Sequence, residues 1–133
     1  PDAILLKPGK LTADEWTEMQ RHPDIGFHLL NGSERPILRA AAIIAYQHHE
    51  KYDGSGYPQG LRGKEIHIYA RIVAVADVFD ALTHARCYKP AWTIEAAVEN
   101  LQQLKGKHLD PALVDLLISN QSKAMAILGQ YPE

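Results

Sequence analysis

His48 and His49 stand side by side at the end of a helix-forming run, Arg39 to Tyr46, and a glycine-dense loop follows at once. Neighbouring residues on a helix point about 100° apart. Two adjacent histidines therefore do not chelate one ion as readily as an i, i+4 pair does. They reach two ions, or one ion each, if the helix end looks into a metal cluster. Gly54, Gly56, Gly60 and Gly63 then give the loop backbone freedom and allow close approach to a ligand. The same residues also fit a plain helix end with two solvated histidines and an ordinary turn, and pattern alone leaves both readings open.

Asp77 and Asp80 lie three residues apart in the most apolar run of the chain, with His84 four beyond Asp80. On a helix they share a face. A buried carboxylate is costly unless it is paired or binds metal. Pairing with Arg86, Lys89 or a helix N-terminus is one solution, and a metal is the other. His22, followed by Pro23, adds a third histidine. Three histidines and an aspartate on separate helices make a mixed nitrogen and oxygen set suited to iron, manganese or zinc, and helical bundles build di-metal sites from facing helices. No CxxC pair competes for that role. His28 reads as a surface residue, His67 as lying behind the ligands, and His108 as solvated in a short turn. Arg86, Lys89 and Lys51 read either as an anion site or as cations offsetting helix dipoles.

The elements that must position these residues are helical. Pro1 to Leu11 reads as a connector, turning at Pro8-Gly9. Thr12 with Glu15 forms a capping box that starts a helix at Ala13. Pro23 interrupts it, and a second segment carries Ile25, Leu29 and Leu30 as far as Gly32. Pro36 opens a helix from about Ile37 to His49, apolar nearly all round. The loop from Glu50 to Glu65 is long for a structureless connection, as functional loops often are. Ile66 to Arg86 reads as a second core helix. Thr93 caps the next, which ends near Gly106. Asp110-Pro111 starts the last, burying Leu113, Leu116, Leu117 and Ile118. The prediction is an all-α bundle of five to six helices with one long glycine-rich loop.

The chain has 133 residues, 46% hydrophobic and 23% charged, which suits one domain with a core. A net charge of −2 gives no basis for binding a nucleic acid polymer. No apolar run approaches a membrane span, and Cys87 alone offers no disulfide framework, so a reducing, cytoplasmic setting is expected.

These residues resemble a known family. The run His48 to Pro58, with Gly56-Tyr57-Pro58 inside it, is similar to the signature of HD-GYP proteins, a branch of the HD phosphohydrolase superfamily. The segment from Pro1 to Thr12 resembles the stretch just after that family's His-Asp motif, and His22-Pro23 resembles its next histidine. Ala70-Arg71-Ile72 through Asp77 and Asp80 to Thr83, then Arg86, Tyr88 and Lys89, resembles its third block. Gly106 through Asp110-Pro111 resembles the closing one. The resemblance spans essentially the whole chain.

The resemblance implies an all-α, metal-dependent phosphodiesterase that hydrolyses cyclic di-GMP to the linear dinucleotide or GMP at a di- or tri-nuclear iron or manganese centre. It implies His22, His48, His49 and Asp77 as ligands, with Asp80 one layer behind them. Arg86 and Lys89 would hold the substrate phosphate. Gly56, Tyr57 and Pro58 would shape the substrate loop, with the Tyr57 hydroxyl near the phosphate. The His-Asp motif itself is absent, so residues 1–133 are expected to be an N-terminally incomplete domain. Association with the preceding segment or with a second copy would then cover apolar faces. Two alternatives accompany this reading. One is a non-catalytic signalling module that contacts diguanylate cyclase-type proteins. The other is a phosphodiesterase for another cyclic dinucleotide such as cyclic GMP–AMP.

Overall fold

Helix starts in this chain are written as caps, and the computed structural model, which describes residues 1–84 and 92–130, places them. Thr12 Oγ1 accepts the Glu15 N–H at 3.3 Å, and the Glu15 carboxylate accepts the Thr12 N–H at 2.7 Å. Thr93 Oγ1 accepts from Ala96, and the Asp110 carboxylate accepts from Ala112 at 2.9 Å. Each cap satisfies an amide that the first helical turn leaves without a partner. Pro23, Pro36 and Pro111 sit at first-turn positions, where their missing N–H costs nothing.

The resulting order is α1 (Asp2–Leu5), α2 (Ala13–Met19), α3 (His22–Leu30), α4 (Pro36–Gln47), a 3-10 turn at Gly63–Glu65, α5 (Ile68–Thr83), α6 (Ile94–Leu104), α7 (Pro111–Ser119) and α8 (Gln121–Gln130). Among the described residues there is no strand, only an isolated bridge between Lys105 and Leu109. The all-α expectation holds.

The core forms where α5, α6, α7 and α8 meet. Val75 and Phe79 of α5, Leu101 of α6, Leu109, and Val114 of α7 are buried together, with Met125 and Leu128 of α8 packed against them. Removing a side chain of this size from water stabilises the fold by roughly 1.5–3 kcal/mol. Arg71 Nη1 donates to Asp110 Oδ2, and its Nε donates to the Ile66 carbonyl. This largely buried ion pair ties α5 to the start of α7.

A second packing unit matters more for the site. Helices α3 and α4 lie against each other, with Phe27 stacked on Tyr46 at 4.7 Å between ring centroids. Gly26 faces Ala45 so closely that an added Cβ would meet the alanine methyl at 3.3 Å. This close approach carries the start of α3 to the end of α4.

Four expectations need correction. The segment before Leu11 contains a helical turn, Asp2–Leu5: the N–H groups of Ile4 and Leu5 donate to the Pro1 carbonyl and that of Leu6 to the Asp2 carbonyl. The chain does not end its helices at α7; α8 follows after Asn120, which raises the number of helices above six. Leu116 is 60% exposed, and Val114 takes the buried place on α7. Helix α5 is not buried all round: Ile68, Tyr69 and Ile72 are exposed, as are Asp77 and Asp80, so neither carboxylate faces a desolvation problem.

Candidate metal centre

His22 is the first residue of α3, and His48 is the cap that follows α4. Because α3 and α4 pack closely, the three imidazoles meet. His22 Nε2 lies 3.2 Å from His48 Nε2 and 3.0 Å from His49 Nε2. All three ligand nitrogens fall within 4.8 Å of one another. Adjacent histidines bring their Nε2 atoms to one place here, where the helix ends at Gln47 with His48 as its cap.

The outer nitrogens fix the tautomers. His22 Nδ1 lies 2.7 Å from the Met19 carbonyl, and His48 Nδ1 lies 2.8 Å from the Ala45 carbonyl. A carbonyl only accepts, so each Nδ1 carries a proton and donates it. In the neutral rings the Nε2 lone pairs then point at one another with no hydrogen between them. That arrangement is repulsive, and a cation among the nitrogens relieves it. An imidazole held by a carbonyl on one nitrogen and offering the other is the usual posture of a metal-ligating histidine. Burial, followed by neighbouring His48, His22 and His108, pushes the His49 pKa down to about 4, which keeps its ring neutral and able to ligate. The donor set therefore fits a transition metal ion.

Asp77 stands outside this three-nitrogen group but faces the same space. A cleft of about 670 Å³ is lined by His48, His49, Asp77 and His108, with Ala41, Ile44 and Val73 behind. The expectation of a solvated His108 fails: it is half-buried on the cleft wall, and burial lowers its pKa. Asp80 does not line this cleft; its carboxylate lies 2.9 Å from His84 Nδ1. His28 is exposed beside Asp24, and the His67 ring caps α5 by accepting from Tyr69. Arg86 and Lys89 lie outside the described residues.

The glycine-rich loop folds back over the histidines. Tyr57 stacks on His49 with centroids 4.8 Å apart and planes 24° apart, and burial raises its pKa. Its N–H donates to the His49 carbonyl at 3.2 Å. Gly56 presses on the backbone beneath: an added Cβ would lie 2.3 Å from Lys51 N and 2.5 Å from His49 O. Only glycine fits there. The Tyr57–Pro58 peptide bond is cis. Tyr52 and Asp53 donate to the carbonyls of His108 and Lys107 at 3.1 and 2.8 Å, docking the loop on the turn before α7.

Glu50 is what reading the residues alone missed. It is 2% exposed, and its two carboxylate oxygens accept the N–H groups of Gln59 at 2.7 Å and Leu61 at 2.9 Å. One buried side chain thus closes the loop that carries Gly56, Tyr57 and Pro58. A charged residue placed directly after two adjacent histidines was the available signal. Gln47 acts in a similar way. Its Oε1 accepts the His67 N–H at 2.7 Å and sets the entry to α5.

Comparison with known proteins agrees with this geometry. The HD domain family matches residues 1–113, which include all three clustered histidines and Asp77. The chain belongs to the HD domain family. Its Gly56-Tyr57-Pro58 loop and histidine blocks are those of the HD-GYP branch. It is 54% identical, over 98% of its length, to the cyclic di-GMP phosphodiesterase response regulator RpfG of Xanthomonas campestris pv. campestris. It is 50% identical over its whole length to the 3'3'-cGAMP-specific phosphodiesterase 2 of Vibrio cholerae. It spans only 35% and 26% of those relatives. The crystal structure of a cyclic GMP-AMP specific phosphodiesterase of V. cholerae superposes with a TM-score of 0.65 at 25% identity, over 96% of this chain and 28% of that one. Within this HD-domain chain, no described helix is long and apolar enough to cross a membrane.

Proposed function

We propose that this HD-domain chain, within its complete protein, is the metal-binding part of a phosphodiesterase that hydrolyses cyclic di-GMP to the linear dinucleotide or GMP. The observation that carries the reading is the meeting of three Nε2 atoms, two of them on rings whose outer nitrogens are held by carbonyls. His22, His48 and His49 would hold the metal, and Asp77 would add an oxygen ligand from across the cleft. An iron or manganese centre of two or three ions suits such a mixed set. When bound, such a centre supplies activated water and positive charge at the phosphate.

The chain's own groups do the rest. Glu50 holds the loop so that Tyr57 stacks on His49. Gly56 lets that loop lie against the backbone of His49 to Lys51, and Tyr57 and Pro58 would shape it for the substrate. Arg86 and Lys89 are assigned to the substrate phosphate, where Arg offers a bidentate contact and Lys a point charge. Asp80 stands one layer behind Asp77 on the same helix. A cytoplasmic setting and association with the remainder of the longer protein, or with a second copy, complete the reading.

A second substrate has a specific observation behind it. Both a 50% identical relative and the structural neighbour are named for cyclic GMP–AMP. The bases are then the point of discrimination, and the hydrolytic residues are the same. Hydrolysis of cyclic di-GMP and of 3'3'-cGAMP by the full-length, metal-loaded protein tests both. Turnover that disappears in His48→Ala supports the phosphodiesterase. Absence of turnover on either substrate, with metal bound, points instead to a non-catalytic module.

A further inference from the structure

Trp16 projects from α2 beside the glycine-rich loop. Scattered exposed apolar residues are ordinary on a protein surface, so its 47% exposure alone says nothing. Its position is the informative feature. The indole meets the Tyr57 ring at 6.0 Å with the planes 77° apart, and Tyr57 in turn stacks on His49. Three rings therefore lead in two steps from a metal-site nitrogen to the surface. A perpendicular pair, whichever ring presents its edge, leaves at least one indole face clear of Tyr57.

The backbone that carries the indole is also held in place. The main-chain N–H of Trp16 donates to the Thr12 carbonyl at 2.9 Å in the first turn of α2. The reciprocal Thr12–Glu15 cap and the Lys7–Glu15 ion pair fix that turn. A rigid aromatic face is useful to a ligand because little conformational freedom is lost when it is used. In a nucleotide the base hangs one sugar away from its phosphate. A phosphate drawn to the histidine cluster thus places a base within reach of rings beyond Tyr57.

We infer that Trp16 is a stacking platform for one purine of the dinucleotide, setting affinity rather than the rate of bond cleavage. The inference rests on the phosphodiester reading above. Base–aromatic stacking tolerates any purine, so Trp16 would favour dinucleotides over simple phosphodiesters without separating cyclic di-GMP from cyclic GMP–AMP.

The test uses the full-length, metal-loaded protein with a cyclic dinucleotide and with methyl p-nitrophenyl phosphate, a phosphodiester that carries no purine. Trp16→Leu keeps apolar bulk and removes the aromatic face. It is expected to raise KM for the dinucleotide about 10-fold with kcat within about two-fold, and to leave kcat/KM for the simple ester unchanged. Trp16→Phe is expected to restore most of the loss. Equal losses on both substrates, or an unchanged KM for the dinucleotide, overturn the platform and leave the phosphodiester reading standing. Failure of the wild type to turn over any cyclic dinucleotide, while metal is bound, overturns both.

Discussion

The Nε2 atoms of His22 and His48 face each other at 3.2 Å, while the Nδ1 of each ring is committed to a backbone carbonyl. The two residues are 26 positions apart and come from different helices. What joins them is the close packing of α3 on α4 through Gly26 and Ala45. A site of this kind depends on helix packing for its precision, and its neighbours should therefore show measurable effects on stability as well as on activity.

Glu50 is the first of these. Its carboxylate is the acceptor for two loop N–H groups, and Glu50→Ala leaves both without it. An unsatisfied buried polar group costs roughly 1–3 kcal/mol. Gln59 is exposed and Leu61 half-buried, so water re-solvates part of what is lost; Glu50→Ala is expected to lower unfolding free energy by about 1–3 kcal/mol, and Glu50→Gln, which keeps one acceptor oxygen, by clearly less. Urea unfolding of the two variants beside the wild type measures this. Equal stability of all three would remove Glu50 from its role in the loop.

The Arg71–Asp110 pair is the second. Both side chains are largely buried, and Asp110 also caps α7. Removing one partner of such a pair strands the other charge and costs about 3–5 kcal/mol. Arg71→Ala is expected to fall in that range. Arg71→Met with Asp110→Asn together should be milder than the sum of the single changes, because neither charge is then left alone. A double-mutant cycle by chemical denaturation gives the coupling directly.

His49 contributes to the pH response of the metal-free protein, alongside His108, whose pKa burial also lowers. The folded pKa of His49, about 4, lies below the ordinary value of 6.5 because of burial and the neighbouring histidines. Between those values the unfolded chain holds a proton that the folded chain lacks, so stability rises with pH across that window. The His49 contribution is fully present above about pH 6.5 and is lost progressively as pH falls toward 4. Chelator-treated protein should show a falling denaturation midpoint from about pH 7 to about pH 5, and His49→Asn should flatten that slope. An identical slope in the variant would contradict the assignment.

Local chemistry made much of this architecture legible in the sequence. Thr12, Thr93 and Asp110 cap the helices their positions predict, because a hydroxyl or carboxylate ahead of a helical run has few better partners. The three histidines are readable from residue type, although their meeting depends on tertiary packing. Other features are not readable. Helix α8 follows α7 across the single residue Asn120, so no glycine or proline turn separates it from the helix before it. The exposure of Asp77 and Leu116 depends on which helices cover α5 and α7, which is a property of the whole fold. Glu50 looks like one more polar residue after a helix. Its role exists only because Gln59 and Leu61, nine and eleven residues on, bring their amides back to it.

The most direct test of the centre is metal content. The full-length protein, purified anaerobically as wild type and as His22→Ala and His48→Ala, is analysed for iron, manganese and zinc per chain. The wild type is expected to carry stoichiometric transition metal. Each variant should lose at least one ion per chain, or need at least ~10-fold more free metal to hold it, with circular dichroism showing that it remains folded. Folded variants with unchanged metal content would contradict the claim that the three converging Nε2 atoms form the metal site.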